Sequence, residues 1–110
     1  MAKFMMLLRN VGDPMVGVSE EDRGAIMQSW GKYMVGLGDK LVDGLPFSGG
    51  GKIVSASGTK DGRHEEGNVN VGGYLIVNAA SIDEAVELSK GCPALQNSTT
   101  TIEVRECMNM

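Results

Sequence analysis

Histidine is the side-chain type that both takes and gives a proton near neutral pH, and this chain has one, His64. Glu65 and Glu66 follow it directly. A carboxylate that orients an imidazole makes a general acid/base pair. Side chains alternate along an extended chain, so Glu66 rather than Glu65 shares the side of His64. The competing reading is a solvated histidine on an exposed arm, because a catalytic base needs fixed geometry. A second candidate is Thr101–Cys107 (TIEVREC), where Glu103 and Arg105 alternate with Ile102 and Val104. Arg105 could act as a fork for a ligand carboxylate. Alternating charge on a strand is equally an ion pair at an interface or a rim. Arg9, at the end of the first apolar stretch, is expected at a pocket mouth. The ring of Tyr74 is expected to line a pocket between sheet and helix, where small-molecule sites form. The candidate set is therefore His64 for catalysis and Arg9, Tyr74, Glu103 and Arg105 for ligand binding.

Other chemistries fit poorly. One histidine with nearby carboxylates falls short of the three or four ligands of a zinc site, so no metal is expected. Gly49-Gly50-Gly51-Lys52 resembles a phosphate loop only in part. Position 46 is Pro where the first glycine belongs, and Ile53 stands where Ser or Thr should hold magnesium. No cofactor is expected. Cys92 and Cys107 form neither a CxxC motif nor a secreted disulfide framework. Cys92 lies just past a predicted helix C-terminus, where the dipole disfavours a thiolate. Ten basic residues against fourteen acidic ones give a net charge of −4, with no basic cluster. That argues against a nucleic-acid partner. The apolar run Phe4–Leu8 is too short for a signal peptide or a membrane span, so a cytoplasmic protein with no membrane partner is expected.

These side chains need a scaffold. Lys3–Arg9 (KFMMLLR) reads as a buried strand. Ser19 followed by Glu20, Glu21 and Asp22 reads as a capped helix start. Ile26, Met27, Trp30, Tyr33, Met34, Leu37 and Leu41 then form an apolar stripe at helical spacing, with Gly38 as the stop. Glycines at 24, 31, 36 and 38 weaken this helix by roughly 1 kcal/mol each, so packing must hold it. Leu45–Gly51 reads as a turn-rich connector and Lys52–Ser57 as a strand, with Asp61-Gly62 the hairpin turn and Arg63–Asn70 an exposed return arm. Gly72–Asn78 (GGYLIVN) is an apolar strand. Ser81 and Glu84 form a capping box, predicting a helix whose Ile82, Ala85, Val86 and Ser89 share a face and which Gly91 and Pro93 end. Thr101–Cys107 alternates as a strand.

The order β, α, β with a hairpin, β, α, β predicts an α+β ferredoxin-like βαββαβ fold. It has an antiparallel four-stranded sheet, an extra β-hairpin arm, and both helices on one face. A chain of 110 residues suits one domain, residues 1–110. Apolar residues make up 42% and eight are methionine, which implies an adaptable core. The second sheet face is left bare. Apolar residues there make an interaction surface, most simply filled by a second copy in a homodimer.

These segments together resemble the YCII-related family, specifically its DGPF-domain branch. The residues that carry the likeness are Lys3-Phe4-Met5-Met6-Leu7-Leu8, the helix with Trp30 leading to Gly44-Leu45-Pro46, Gly72-Gly73-Tyr74-Leu75-Ile76, Asp83-Glu84-Ala85, Cys92-Pro93 and Ile102-Glu103-Val104-Arg105. The branch's Asp-Gly-Pro-Phe motif, expected before the Gly-Gly-Tyr strand, is replaced by Arg63-His64-Glu65-Glu66-Gly67-Asn68-Val69-Asn70. The resemblance implies the dimeric α/β-barrel form of the ferredoxin-like fold. It also implies an enzyme-like setting in which some members use a His–Asp acid/base pair. Two functions follow. One is a dimeric domain binding a small polar or anionic molecule beside the sheet, with YCII-like enzyme activity in reach. The other is a non-enzymatic interaction or regulatory module, since some members of the branch occur near or fused to sigma-factor-like proteins.

Overall fold

The computed structural model describes all 110 residues. The first strand, β1 (Ala2–Val11), buries alternate residues, Phe4, Met6 and Leu8. It runs antiparallel to β5 (Val69–Ala79) with Phe4 opposite Val77 and Met6 opposite Leu75. On its other side β6 (Thr101–Glu106) sets Val104 beside Met6 and Ile102 beside Leu8. Directly opposed residues share a sheet face, so this row of apolar side chains forms one surface.

Both helices cover that surface. From α1 (Glu20–Leu37), Leu37 is buried and Trp30, Tyr33 and Met34 pack against the core; from α2 (Ile82–Lys90), Ala85 is buried and Leu88 packs beside it. Tyr33 ties the two together, its hydroxyl donating to the Leu88 carbonyl at 2.8 Å. The helix ends follow the expected chemistry. Ser19 accepts from Asp22 N–H and Ser81 from Glu84 N–H, while Gly38 and Gly91 sit at the C-caps. Three details differ. Met27 is 65% exposed and Ile82 also faces solvent, because only the face centred on Trp30 and Leu37, and on Ala85 and Ser89, meets the sheet. Glu84 reaches back to the Ala80 N–H, one residue before the expected donor.

The larger correction concerns the sheet's remaining edge. Its strand is β2 (Leu41–Pro46), not Lys52–Ser57, and the strand order is β2-β5-β1-β6, antiparallel throughout. Leu41 belongs to this strand rather than to the helix stripe. Pro46 is tolerated because it closes an edge strand. Gly44 and Gly73 let β2 and β5 meet closely: a side chain on Gly73 would sit 3.0 Å from the Leu45 carbonyl oxygen. Lys52–Ser55 instead forms β3, which pairs only with β4 (Gly58–Asp61) in a separate hairpin. Its turn is Ala56-Ser57, and Asp61-Gly62 lies at the base, where the Gly62 N–H continues the ladder to the Gly51 carbonyl. The arm is exposed along its whole length save for part of Ile53. With the arm projecting, the radius of gyration is 15.1 Å, against about 13 Å for a compact chain of this length.

The face opposite the helices carries Met5, Leu7, Arg9, Tyr74, Ile76, Glu103 and Arg105, with Asp43 and Leu45 at the β2 edge. The expected division of β6 holds, Ile102 and Val104 toward the helices and Glu103 and Arg105 away.

Candidate functional site

A β-bulge creates the site's first wall. Between Leu8 and Arg9 the register with β5 slips by one residue, leaving Gly72 unpaired and setting Arg9 opposite Val71. Bulges commonly re-aim a side chain at a functional edge. Here the extra residue is in β5, so it turns Val71 and Val69 onto the bare face. There Arg9, in unbroken alternation with Met5 and Leu7, enters a cleft of about 750 Å³ between that face and the base of the hairpin. Phe47, just past β2, and Val69 and Val71 of β5 give it an apolar floor. Lys52 and Ile53 at the start of β3, and Arg63, His64 and Glu66 from the loop joining β4 to β5, close the far side.

Each cation in the cleft already has a carboxylate. Arg9 donates from Nε and Nη2 to Glu103 Oε1, at 3.1 and 2.7 Å. Lys52 pairs with Asp61 across the hairpin ladder. Arg63 donates from Nε to Glu65 at 2.8 Å. His64 Nε2 lies 4.0 Å from Glu66 Oε1, so Glu66 does share its side, while Glu65 turns to Arg63. The His64 side chain is 78% exposed. Of these carboxylates only Glu66 lines the cleft, so the wall offers chiefly the N–H groups of Arg9, Lys52 and Arg63 to a ligand's acceptor groups.

Of the five candidate residues, Arg9 and His64 line this cleft. Glu103 stands behind Arg9 and holds it without forming the wall. Tyr74 is not between sheet and helix: it lies on the bare face, one strand from Leu45, because β5 alternates and the helix side is taken by Leu75. Its hydroxyl donates to Asp43 Oδ2 at 3.1 Å, and that bond, more than burial or the Asp43 charge, raises its pKa above 10.0. Phe47 leans on the Tyr74 ring with centroids 5.9 Å apart, linking it to the cleft floor. Arg105 is exposed and unpaired, two residues along β6 from Glu103 and outside the cleft.

Lys52, Arg63 and Phe47 are cleft residues that the sequence reading did not single out. Lys52 carried a signal in its glycine-rich approach, but the turn it follows leads into a strand rather than a helix. Arg63 gives no signal in isolation; its side chain acquires meaning only because the loop after β4 doubles back over β5. Cys92 is buried and its thiol is pushed up to about 11, chiefly by burial, so it is an inert thiol. A shallower hollow on the outer side of α1, around Gly31 and Lys32, holds no histidine or carboxylate. No helix is long and apolar enough to cross a membrane.

No protein-family model matches the chain, and no curated protein sequence matches it. Among solved structures the chain is similar to 5-chloro-2-hydroxyhydroquinone dehydrochlorinase from Burkholderia phenoliruptrix AC1100, determined in complex with 2,5-dihydroxybenzoquinone. The TM-score is 0.56 at 19% sequence identity, covering 96% of this chain and 95% of the other. At that identity the likeness establishes a shared architecture, so this chain has the α+β ferredoxin-like fold of that enzyme.

Proposed function

We propose that residues 1–110 act as one YCII-related domain that works as a homodimer and binds a small polar or anionic molecule in the cleft beside the sheet. The observation that carries this reading is the meeting of Arg9 and His64, 55 positions apart in sequence, in one cleft with an apolar floor. Arg9, held by Glu103, donates to acceptor groups of the ligand. His64, with Glu66 beside it, is the group that would move a proton. Phe47 and Val71 take the ligand's apolar body, and Tyr74 braces Phe47. Binding of a small oxygenated ring by a protein of the same fold supports a ligand of that size. Burying such a ligand requires the open side of the cleft to be covered, since pockets enclose most of a small molecule's surface. A second copy on the bare face supplies that cover.

The test is thermal melting with 2,5-dihydroxybenzoquinone and with simple benzoates as probes, on the parent protein and on Arg9→Ala and His64→Ala. A stabilising shift in the parent that is lost in Arg9→Ala is the expected result. Shifts that both variants keep in full would remove the site assignment.

A further inference from the structure

Register places four open-face residues in a single row across the sheet. Asp43 of β2 is opposite Ile76 of β5, Ile76 is opposite Met5 of β1, and Met5 is opposite Arg105 of β6. The row reads acid, apolar, apolar, base from one edge to the other. Arg105 has no ionic or hydrogen-bonding partner within its own chain, and Asp43 has no cation, only the Tyr74 hydroxyl and the Gly44 N–H. The next row, Leu45, Tyr74, Leu7 and Glu103, is apolar over its first three positions.

Two such sheets stacked face to face about a two-fold axis parallel to the strands exchange left and right but keep the height along the strand. The β2 edge of each copy then lies over the β6 edge of the other, and the row is its own complement. In an isologous contact residue i meets j and j meets i, so every such pairing occurs twice. We infer that Arg105 of each subunit pairs with Asp43 of the partner subunit, while Met5 and Ile76 form the dry centre between the two ion pairs. Face-packed sheets lie about 10 Å apart and cross at about 30°, a gap and an offset that the long arginine side chain spans. The pairing also completes the site. Asp43 already accepts from Tyr74, which braces Phe47 in the cleft floor, so the partner's guanidinium joins that chain of contacts.

This inference rests on the dimer proposed above and gives it a defined orientation. The occupant is a second copy of this chain because the charges match only under that symmetry. The test is sedimentation equilibrium of the intact chain with Arg105→Glu, Asp43→Lys and the double swap. Each single reversal places like charges against each other twice per dimer and is expected to weaken association by about tenfold or more. The double swap restores it. Should Asp43→Lys fail to fold, Arg105→Lys against Arg105→Glu decides the matter, the first keeping the dimer and the second losing it. A parent dimer that Arg105→Glu leaves as tight overturns this pairing while the dimer itself stands. A parent chain that stays monomeric at high micromolar concentration overturns both. Any other occupant of this face is ruled against by a parent dimer that the double swap restores.

Discussion

Arg9 rests two of its nitrogens on a single oxygen of Glu103, at 3.1 Å from Nε and 2.7 Å from Nη2, across the β1–β6 ladder. Both side chains are about two-fifths exposed. Solvent screening limits such a pair to roughly 0–1 kcal/mol of stability. Its effect lies in holding the guanidinium at the cleft wall, where Nη1 has no hydrogen-bond partner within the chain.

Glu103→Gln therefore separates stability from binding. Its melting temperature is expected within a few degrees of the parent, since about 1 kcal/mol moves a chain of this size by roughly 4–8 °C. Affinity for a cleft probe is expected to fall several-fold as Arg9 loses its fixed orientation. Calorimetric titration of the variant checks this, and unchanged affinity would show that Arg9 needs no brace.

Tyr33 and Cys92 make the fold sensitive to alkali. Burial, with a smaller effect of Cys92, raises the Tyr33 hydroxyl from 10.0 to about 12, and burial raises the Cys92 thiol from 9.0 to about 11. Both are neutral in the folded chain, and the unfolded chain loses these protons at lower pH. The stabilisation is complete below the unfolded values and disappears as pH rises through the folded ones, from about 9 to about 12. Tyr33→Phe is expected to flatten the upper part of that decline. It also costs about 1 kcal/mol at neutral pH by removing the bond to the Leu88 carbonyl. Urea unfolding at stepped pH measures both effects, and parallel declines in parent and variant would refute the assignment.

Gly73→Ala tests how β2 is attached. The added methyl would meet the β2 backbone at two points, the Leu45 oxygen at 3.0 Å and the Pro46 Cα at 3.1 Å. Neither can rotate away as a side chain would. A loss of about 1–3 kcal/mol is expected, with amide protection lost first along Leu41–Pro46. A melting point equal to the parent's would mean that the edge strand shifts freely.

Ser81→Ala removes the oxygen that caps α2 by accepting from the Glu84 N–H. The expected cost is about 1 kcal/mol, read as a lower denaturant midpoint at unchanged slope. An unchanged midpoint would mean that Glu84, reaching the Ala80 N–H, suffices alone.

What could be read directly from the chain follows from periodicity. Phe4, Met6 and Leu8, or Ile102 and Val104, alternate because a sheet with one covered face demands it, and Ser19, Ser81 and Gly38 mark helix ends by local hydrogen bonding. Leu41–Pro46 escaped for a physical reason. Leu41 stands four residues beyond Leu37 and so continues the helical stripe, while Asp43, Gly44 and Pro46 are poor strand formers that only an edge position accepts. Lys52–Ser57 has the better strand composition yet finds no place in the sheet, because pairing depends on neighbours far away in sequence. The cleft was legible in part. Arg9 stands out as a charge ending an apolar run, and His64 as the chain's one histidine. Lys52, Arg63 and Phe47 join them only through the fold of a loop that no local pattern encodes.

The arm of β3 and β4 leaves a signature on everything that depends on shape. Two strands held chiefly by their own ladder have few contacts to lose, so their amides should trade hydrogen for deuterium within moments while Phe4, Leu75 and Val77 hold theirs. Small-angle scattering should register the protrusion as a tail in the pair-distance distribution. If association folds that tail against a neighbour, the tail should shrink as concentration rises, and a protease that nicks Ala56-Ser57 in dilute solution should find the bond closed to it in concentrated solution.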